Sequence, residues 1–146
     1  MPPMTIFLPL TPQLSVAGQI TADDVRAAAA QGFGHIINNR PDHEVPGQPT
    51  GAAIEAAAHA AGLGYTAIPV DHSGFSAEQV AAMSACLVSA KPILAYCRSG
   101  TRSTMLWALA AASRGLATDE ILAIAASQGY DVTPLLPAMR SLQPQE

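Results

Sequence analysis

PILAYCRSGTRS, residues 92–103, decides the reading of the whole chain. Its first six residues (92–97) are a short, mostly apolar run ending in a cysteine, which reads as a buried strand. The rest is a polar loop holding Gly100, two arginines and three hydroxyl residues, and a helix over about 102–114 follows, ending near Gly115. A strand feeding a loop and then a helix has a definite chemistry. Loop amides ahead of a helix form a concave anion site, and the helix N-terminus adds partial positive charge. Gly100 permits backbone angles that a side chain forbids. Arg102, five positions after Cys97, can curl back toward the sulfur and offer its planar fork to an oxyanion. The same positive field favours the nucleophilic thiolate of Cys97. Ser103 is placed to donate a hydrogen bond to that thiolate. The backbone and hydroxyls of Ser99, Gly100 and Thr101 complete the anion cradle, and Arg98 reads as a rim residue that attracts anionic substrate.

Working outward, the chain alternates strands and helices. Residues 5–20 hold one or two short strands, and Thr21 with Asp24 signals the start of a helix over 22–31. GHIINN (34–39) is the next strand, followed by the polar loop RPDHEVPGQP and a helix over 50–61. TAIPV (66–70) is a strand with Pro69 near its end. Ser76 with Gln79 makes a capping box for a helix over 77–90 with Val80, Met83 and Leu87 on its apolar face. Thr118 reads as the cap of a helix over 119–127, and Thr133-Pro134 opens a last one. This pattern predicts an α/β fold, a mainly parallel central sheet with helices on both faces. The loops 39–48, 71–75 and 97–103 then share the carboxyl edge of the sheet. Residues 1–146 read as one domain, with 116–146 as C-terminal helical cover and a frayed tail.

Composition narrows the function. The net charge is −4, with seven Lys plus Arg, which argues against a general nucleic-acid binder. The N-terminal stretch lacks the basic start of a signal peptide, and no apolar run is long enough to span a membrane, so the expected location is cytoplasmic. Cys86, inside a helix, reads as a core residue rather than a resolving thiol. Four histidines without ligand spacing and two cysteines predict no metal, and the absence of GxGxxG or GxxxxGK[ST] predicts no nucleotide cofactor. Asp71, after the IPV strand, is either a general acid or, more simply, a turn aspartate. His72 reads as an exposed loop residue, and His35 and His59 as packing or surface residues. Arg40 has two readings of equal standing, a substrate contact and an ion pair tying its loop to the cysteine loop. Asp42 and Glu44 read as structural, orienting Arg40 or Arg98.

The blocks QLSVAGQITADDV (13–25), GHIINNRPDHEVPGQPT (34–50) and ILAYCRSGTRSTMLWAL (93–109) resemble the phosphatase-like domain family of beta-lactamase-hydrolase-like proteins. The resemblance covers about 13–115 and implies a cysteine-phosphatase fold similar to that of dual-specificity phosphatases. One departure stands out. Those phosphatases carry five residues between cysteine and arginine, whereas four separate Cys97 from Arg102, as in many rhodaneses. The shorter loop suits a terminal sulfur better than a tetrahedral phosphoryl group. Sulfur transfer is therefore the first expectation: Cys97 takes sulfane sulfur from thiosulfate or a low-molecular-weight persulfide, passes through a persulfide, and yields it to a thiol acceptor. The resemblance also implies a persulfide dioxygenase or a sulfide:quinone oxidoreductase as neighbour or partner. The alternative is a phosphatase, with a Cys97 phosphocysteine, Arg102 on the phosphoryl oxygens and Asp71 as acid. A third is a non-catalytic anion- or redox-sensing module docked on a partner.

Overall fold

The computed structural model of the chain describes residues 5–71 and 73–144. The expected strand region before the first helix resolves into two, β1 (Leu8–Pro9) and β2 (Leu14–Ala17), which pair antiparallel. Pro9 cannot donate to a ladder, and it sits on the sheet's edge strand. Thr21 then caps α1 (Ala22–Ala30), with Asp24 completing the reciprocal capping box that the sequence signals. The chain continues through β3 (His35–Asn38), α2 (Gly51–Ala60), β4 (Gly64–Ala67), α3 (Ala77–Cys86), β5 (Ile93–Tyr96) and α4 (Thr101–Ser113). It ends with α5 (Thr118–Ser127), a 3-10 turn (Thr133–Leu135) and α6 (Leu136–Leu142).

The sheet order is β1-β2-β5-β3-β4. β5 lies in its middle, parallel to both β2 and β3, and β3 is parallel to β4. All four residues of β5 are buried, as a strand covered on both faces requires. Their side chains alternate. Ile93 and Ala95 join the core under α3 to α6, while Leu94 and Tyr96 join the core under α1 and α2. The predicted α/β architecture with helices on both faces is therefore present. α4 is the most deeply buried helix, with Leu106, Trp107 and a run of alanines packed between the sheet and α3, α5 and α6. Among the described residues no helix is long and apolar enough to cross a membrane.

Several boundaries differ from the sequence expectation. The fourth strand occupies 64–67 rather than 66–70, because its register with β3 ends at Ala67. The chain beyond stays extended: Ile68 N donates to Asn38 O and Val70 N to Asn39 O, with Pro69 between them unable to donate. α3 stops at Cys86 instead of running to residue 90: Leu87 is its C-cap, Ser89 N turns back to Cys86 O, and Gln13 Nε2 binds the carbonyls of Ser89 and Lys91. Thr118 is the first residue of α5 rather than its cap. Ala117 holds the cap position with no side-chain bond, and Asp119 and Glu120 complement the helix dipole. Ser76 and Gln79 do form their capping box. His72 lies outside the described residues.

Candidate active site at the cysteine loop

Cys97 follows the last residue of the central strand, so its backbone is held by the most constrained element of the fold. Its amide donates to Ala17 O at 3.3 Å. The loop that follows is pinned from outside at three successive carbonyls. Arg98 O accepts from Gln19 N at 3.3 Å, Ser99 O from the Tyr130 hydroxyl at 3.0 Å, and Gly100 O from Thr104 N at 3.0 Å and the Thr104 hydroxyl at 2.8 Å. In a trans peptide the N–H points opposite to the C=O. Fixing the Ser99 carbonyl outward therefore turns the amide of Gly100 inward. Gly100 N reaches the Cys97 sulfur at 3.1 Å. Gly100 has φ +88°, and it is also the cap position of α4, whose first-turn amides have no intrahelical acceptor. The Gly100 amide and the unpaired first-turn amides of α4 thus lie beside the Cys97 sulfur, the kind of donor set that suits an anion.

Arg102, in the first turn of α4, is held by Glu44. Nη1 donates to Glu44 Oε2 at 2.7 Å and to Val70 O at 2.7 Å, and Nη2 donates to Glu44 Oε1 at 2.8 Å. Three of the five guanidinium donors are thereby used. The side-on pair, Nε–H and the second Nη2–H, is used by neither Glu44 nor Val70, and Arg102 comes within hydrogen-bonding reach of the Cys97 sulfur. The Glu44 hydrogen bonds raise the Arg102 pKa, and the charge and sulfur of Cys97 raise it further. Glu44 also accepts from Arg40 Nε at 2.9 Å. Its carboxyl is held down at about 2, first by the Arg102 hydrogen bonds and then by Arg40, against an opposing effect of burial.

The loops after β3, β4 and β5 do converge on one edge. Pro41, Glu44, Asp71, Arg98 and Arg102 line a cavity of about 380 Å³ there. Cys97 itself is 1% exposed beneath the loop. Arg98 is exposed at the rim, and Ser99 Oγ lies 2.9 Å from Thr101 Oγ1. Asp71 faces this cavity while its Oδ1 accepts from the amide and hydroxyl of Ser73, the turn geometry that its position suggests. Arg40 is buried and lines a second cavity, with Asn38, Asp42, Glu55 and Tyr65. Its tie to the cysteine loop runs through the carboxylate of Glu44, which it shares with Arg102. Ser103 does not donate to Cys97. It is fully buried, its hydroxyl has no hydrogen-bond partner among the described residues, and the sulfur takes the Gly100 amide instead, because the left-handed turn at Gly100 swings that amide inward. Asp42 orients neither arginine. It binds the Gly51 amide at 2.8 Å at the start of α2. Cys86 is half-buried against the core, and His35 Nε2 pairs with the Thr66 hydroxyl. Among the described residues no cluster of His, Cys, Asp or Glu could ligate a metal ion.

Sequence reasoning missed Gln19, Tyr130 and Thr104, which hold the loop carbonyls. Only Thr104, four positions after the glycine, carried a local signal, as a hydroxyl able to bond back along its helix.

Comparison with known proteins shows the family and the fold. The family model described as "Beta-lactamase hydrolase-like protein, phosphatase-like domain" matches residues 7–114. Beta-lactamase hydrolase-like proteins of Xylella fastidiosa and Agrobacterium fabrum are 35% and 36% identical over 122 residues, covering 82% of the chain. The chain spans only 28% of the length of these curated relatives. Among solved structures, a "putative phosphatase" of Neisseria meningitidis is similar at 31% identity and a TM-score of 0.80, covering 94% of this chain and 98% of that one. Tk-PTP in its active form shares the fold, with a TM-score of 0.72 at 19% identity over 98% of both chains.

Proposed function

The chain belongs to the phosphatase-like domain family of beta-lactamase hydrolase-like proteins, and from that premise and the site geometry we propose that it is a cysteine-dependent phosphatase. The observation that carries this reading over sulfur transfer is the match to a phosphatase-like family over residues 7–114, joined to a site in which the Gly100 amide and Arg102, anchored by Glu44, both meet the Cys97 sulfur. The Cys97 thiolate attacks the phosphorus of a phosphate monoester. The S–P bond forms as the P–O bond to the leaving group breaks, and Asp71 supplies the proton to the departing oxygen. Water then attacks phosphorus, Asp71 takes its proton, and phosphate leaves with the thiolate regenerated. These amides and Arg102 bind the equatorial oxygens, where charge is greatest.

The four-residue spacing between Cys97 and Arg102 favours a second reading, sulfur transfer. Here the thiolate attacks the outer sulfur of thiosulfate, sulfite departs, and a low-molecular-weight thiol removes the sulfur from the Cys97 persulfide. Both readings use the same nucleophile and anion site, so one experiment separates them. Intact mass and product release are followed with an aryl phosphate and, separately, with thiosulfate, for the wild type, Cys97→Ser and Asp71→Asn. Phosphate release lost in Cys97→Ser, and reduced about a hundredfold in Asp71→Asn, supports the phosphatase reading. A gain of one sulfur on Cys97, removed by thiol, with no phosphate release, overturns it in favour of sulfur transfer. Neither product from either compound points to a non-catalytic anion-binding module.

A further inference from the structure

Tyr130 stands in the turn after α5, beyond the residues matched by the family model, yet it reaches into the cysteine loop. Its hydroxyl donates to Ser99 O at 3.0 Å. The same peptide unit carries the Gly100 N–H, which donates to Cys97 Sγ at 3.1 Å. The Ser99–Gly100 peptide is thus gripped at both ends, its oxygen by a phenol and its N–H by the reacting sulfur. We propose that Tyr130 is a positioning residue that acts on Cys97 through this one peptide plane.

Two physical effects follow from the geometry. First, a peptide plane is rigid, so fixing its oxygen fixes the direction of its N–H. The Gly100 φ of +88° lies where backbone torsion is soft for glycine, and without an outer tether the plane can rotate away from the sulfur. Second, a hydrogen bond accepted by the carbonyl polarises the amide and strengthens its N–H as a donor to an anion. The fit at this point is tight. A Cβ on Gly100 would lie 2.3 Å from the Tyr130 hydroxyl oxygen, so the phenol occupies the space that a side chain there would need. Burial, and secondarily the charge of Cys97, raise the Tyr130 pKa, so the hydroxyl stays a donor across the neutral range. The charged groups lining the cavity beside the loop are Arg102 at the start of α4, Glu44 after β3, Asp71 after β4 and Arg98 in the loop, and Asp131 follows Tyr130 with its carboxylate accepting from Thr133 N. None of them changes when Tyr130 loses its hydroxyl.

The inference rests on Cys97 as the reacting atom and not on which group is transferred. Its test therefore reads the sulfur directly, as the rate of Cys97 alkylation by iodoacetamide, resolved by peptide mass, at pH 6 and pH 9. Tyr130→Phe keeps the ring and removes the hydroxyl, and Ser127→Ala, which loses only a hydroxyl bonded to Ile124 O, serves as the control. The expected result for Tyr130→Phe is a rate lower by about threefold or more at pH 6 and unchanged at pH 9, because the lost bond stabilised the thiolate. Ser127→Ala follows the wild type. A Tyr130→Phe profile that superimposes on the wild type overturns the proposal. So does an equal change at both pH values, which reports access to the sulfur rather than stabilisation of its charge. A wild-type Cys97 that is alkylated at neither pH in the folded protein, nor protected from later labelling by prior incubation with an aryl phosphate or thiosulfate, overturns its part as the reacting atom and this role with it.

Discussion

Replacing Glu44 with glutamine removes one negative charge from between two arginines, and the structure sets the size of the effect. The carboxyl stands at about 2 in the folded protein against 4.5 for an unperturbed glutamate. At about 1.4 kcal/mol per pH unit the full shift corresponds to about 3 kcal/mol. The Glu44 side chain keeps 18% of its exposure, and screening lowers the expected contribution to about 2 kcal/mol. The folded value is the depressed one. The contribution is therefore complete above the unfolded value and disappears as pH falls from 4.5 toward about 2. For 146 residues, the usual unfolding entropy converts 2 kcal/mol into a melting-point loss of about 6 °C. Thermal denaturation of wild type and Glu44→Gln, followed by circular dichroism from pH 7 down to pH 3, checks this. The gap is expected at neutral pH and should narrow steadily below pH 4.5. A gap that is absent at pH 7, or that keeps its size down to pH 3, refutes the argument. The variant should also lose about tenfold or more in turnover, because Arg102 loses its charged anchor and with it the orientation of its side-on fork.

Arg102→Lys should lower kcat/KM by about a hundredfold or more, since an ammonium cannot bind Glu44 end-on and an oxyanion side-on together; steady-state kinetics with an aryl phosphate reads this. Gly100→Ala should cost about 1 kcal/mol from the positive φ, and more from the collision with Tyr130, so both melting point and turnover should fall. Asp24→Ala removes the acceptor for Thr21 N, the Thr21 hydroxyl and the Thr5 hydroxyl, and should cost about 2 kcal/mol in urea unfolding while leaving kcat unchanged.

The parts of this fold that were legible in the sequence are those whose causes are local. Thr21 with Asp24 and Ser76 with Gln79 announce helix starts because a capping box closes within four residues. Cys97, Gly100 and Arg102 announce the anion site because loop and helix start lie within one short stretch. The parts that were not legible depend on distance. Glu44 lies 58 positions from Arg102, and nothing near either residue says that this carboxylate serves Arg40 and Arg102 rather than Arg98. Tyr130 belongs to a segment that reads only as helical cover, and its reach to Ser99, 31 positions away, follows from where α5 ends over the sheet. Strand boundaries shifted for a related reason. Extended chain at 68–70 keeps hydrogen bonds to β3, but Pro69 interrupts the ladder that would make it a strand.

The place of β5 in the sheet has a consequence for how the protein is made. β2 and β3 have no bonds to each other; each pairs with β5. Until Ile93–Tyr96 have been added, a growing chain has no strand to join β1-β2 to β3-β4, and the backbone N–H and C=O groups on the facing edges of β2 and β3 have no ladder to enter. Those edges invite contact with other nascent chains, and they close only when the last-made strand slides in as the keystone. The cysteine emerges immediately behind that keystone. The loop at Cys97 therefore takes its shape only after the sheet is sealed, and its outer ties to Thr104 and Tyr130 wait for α4 and for the turn after α5.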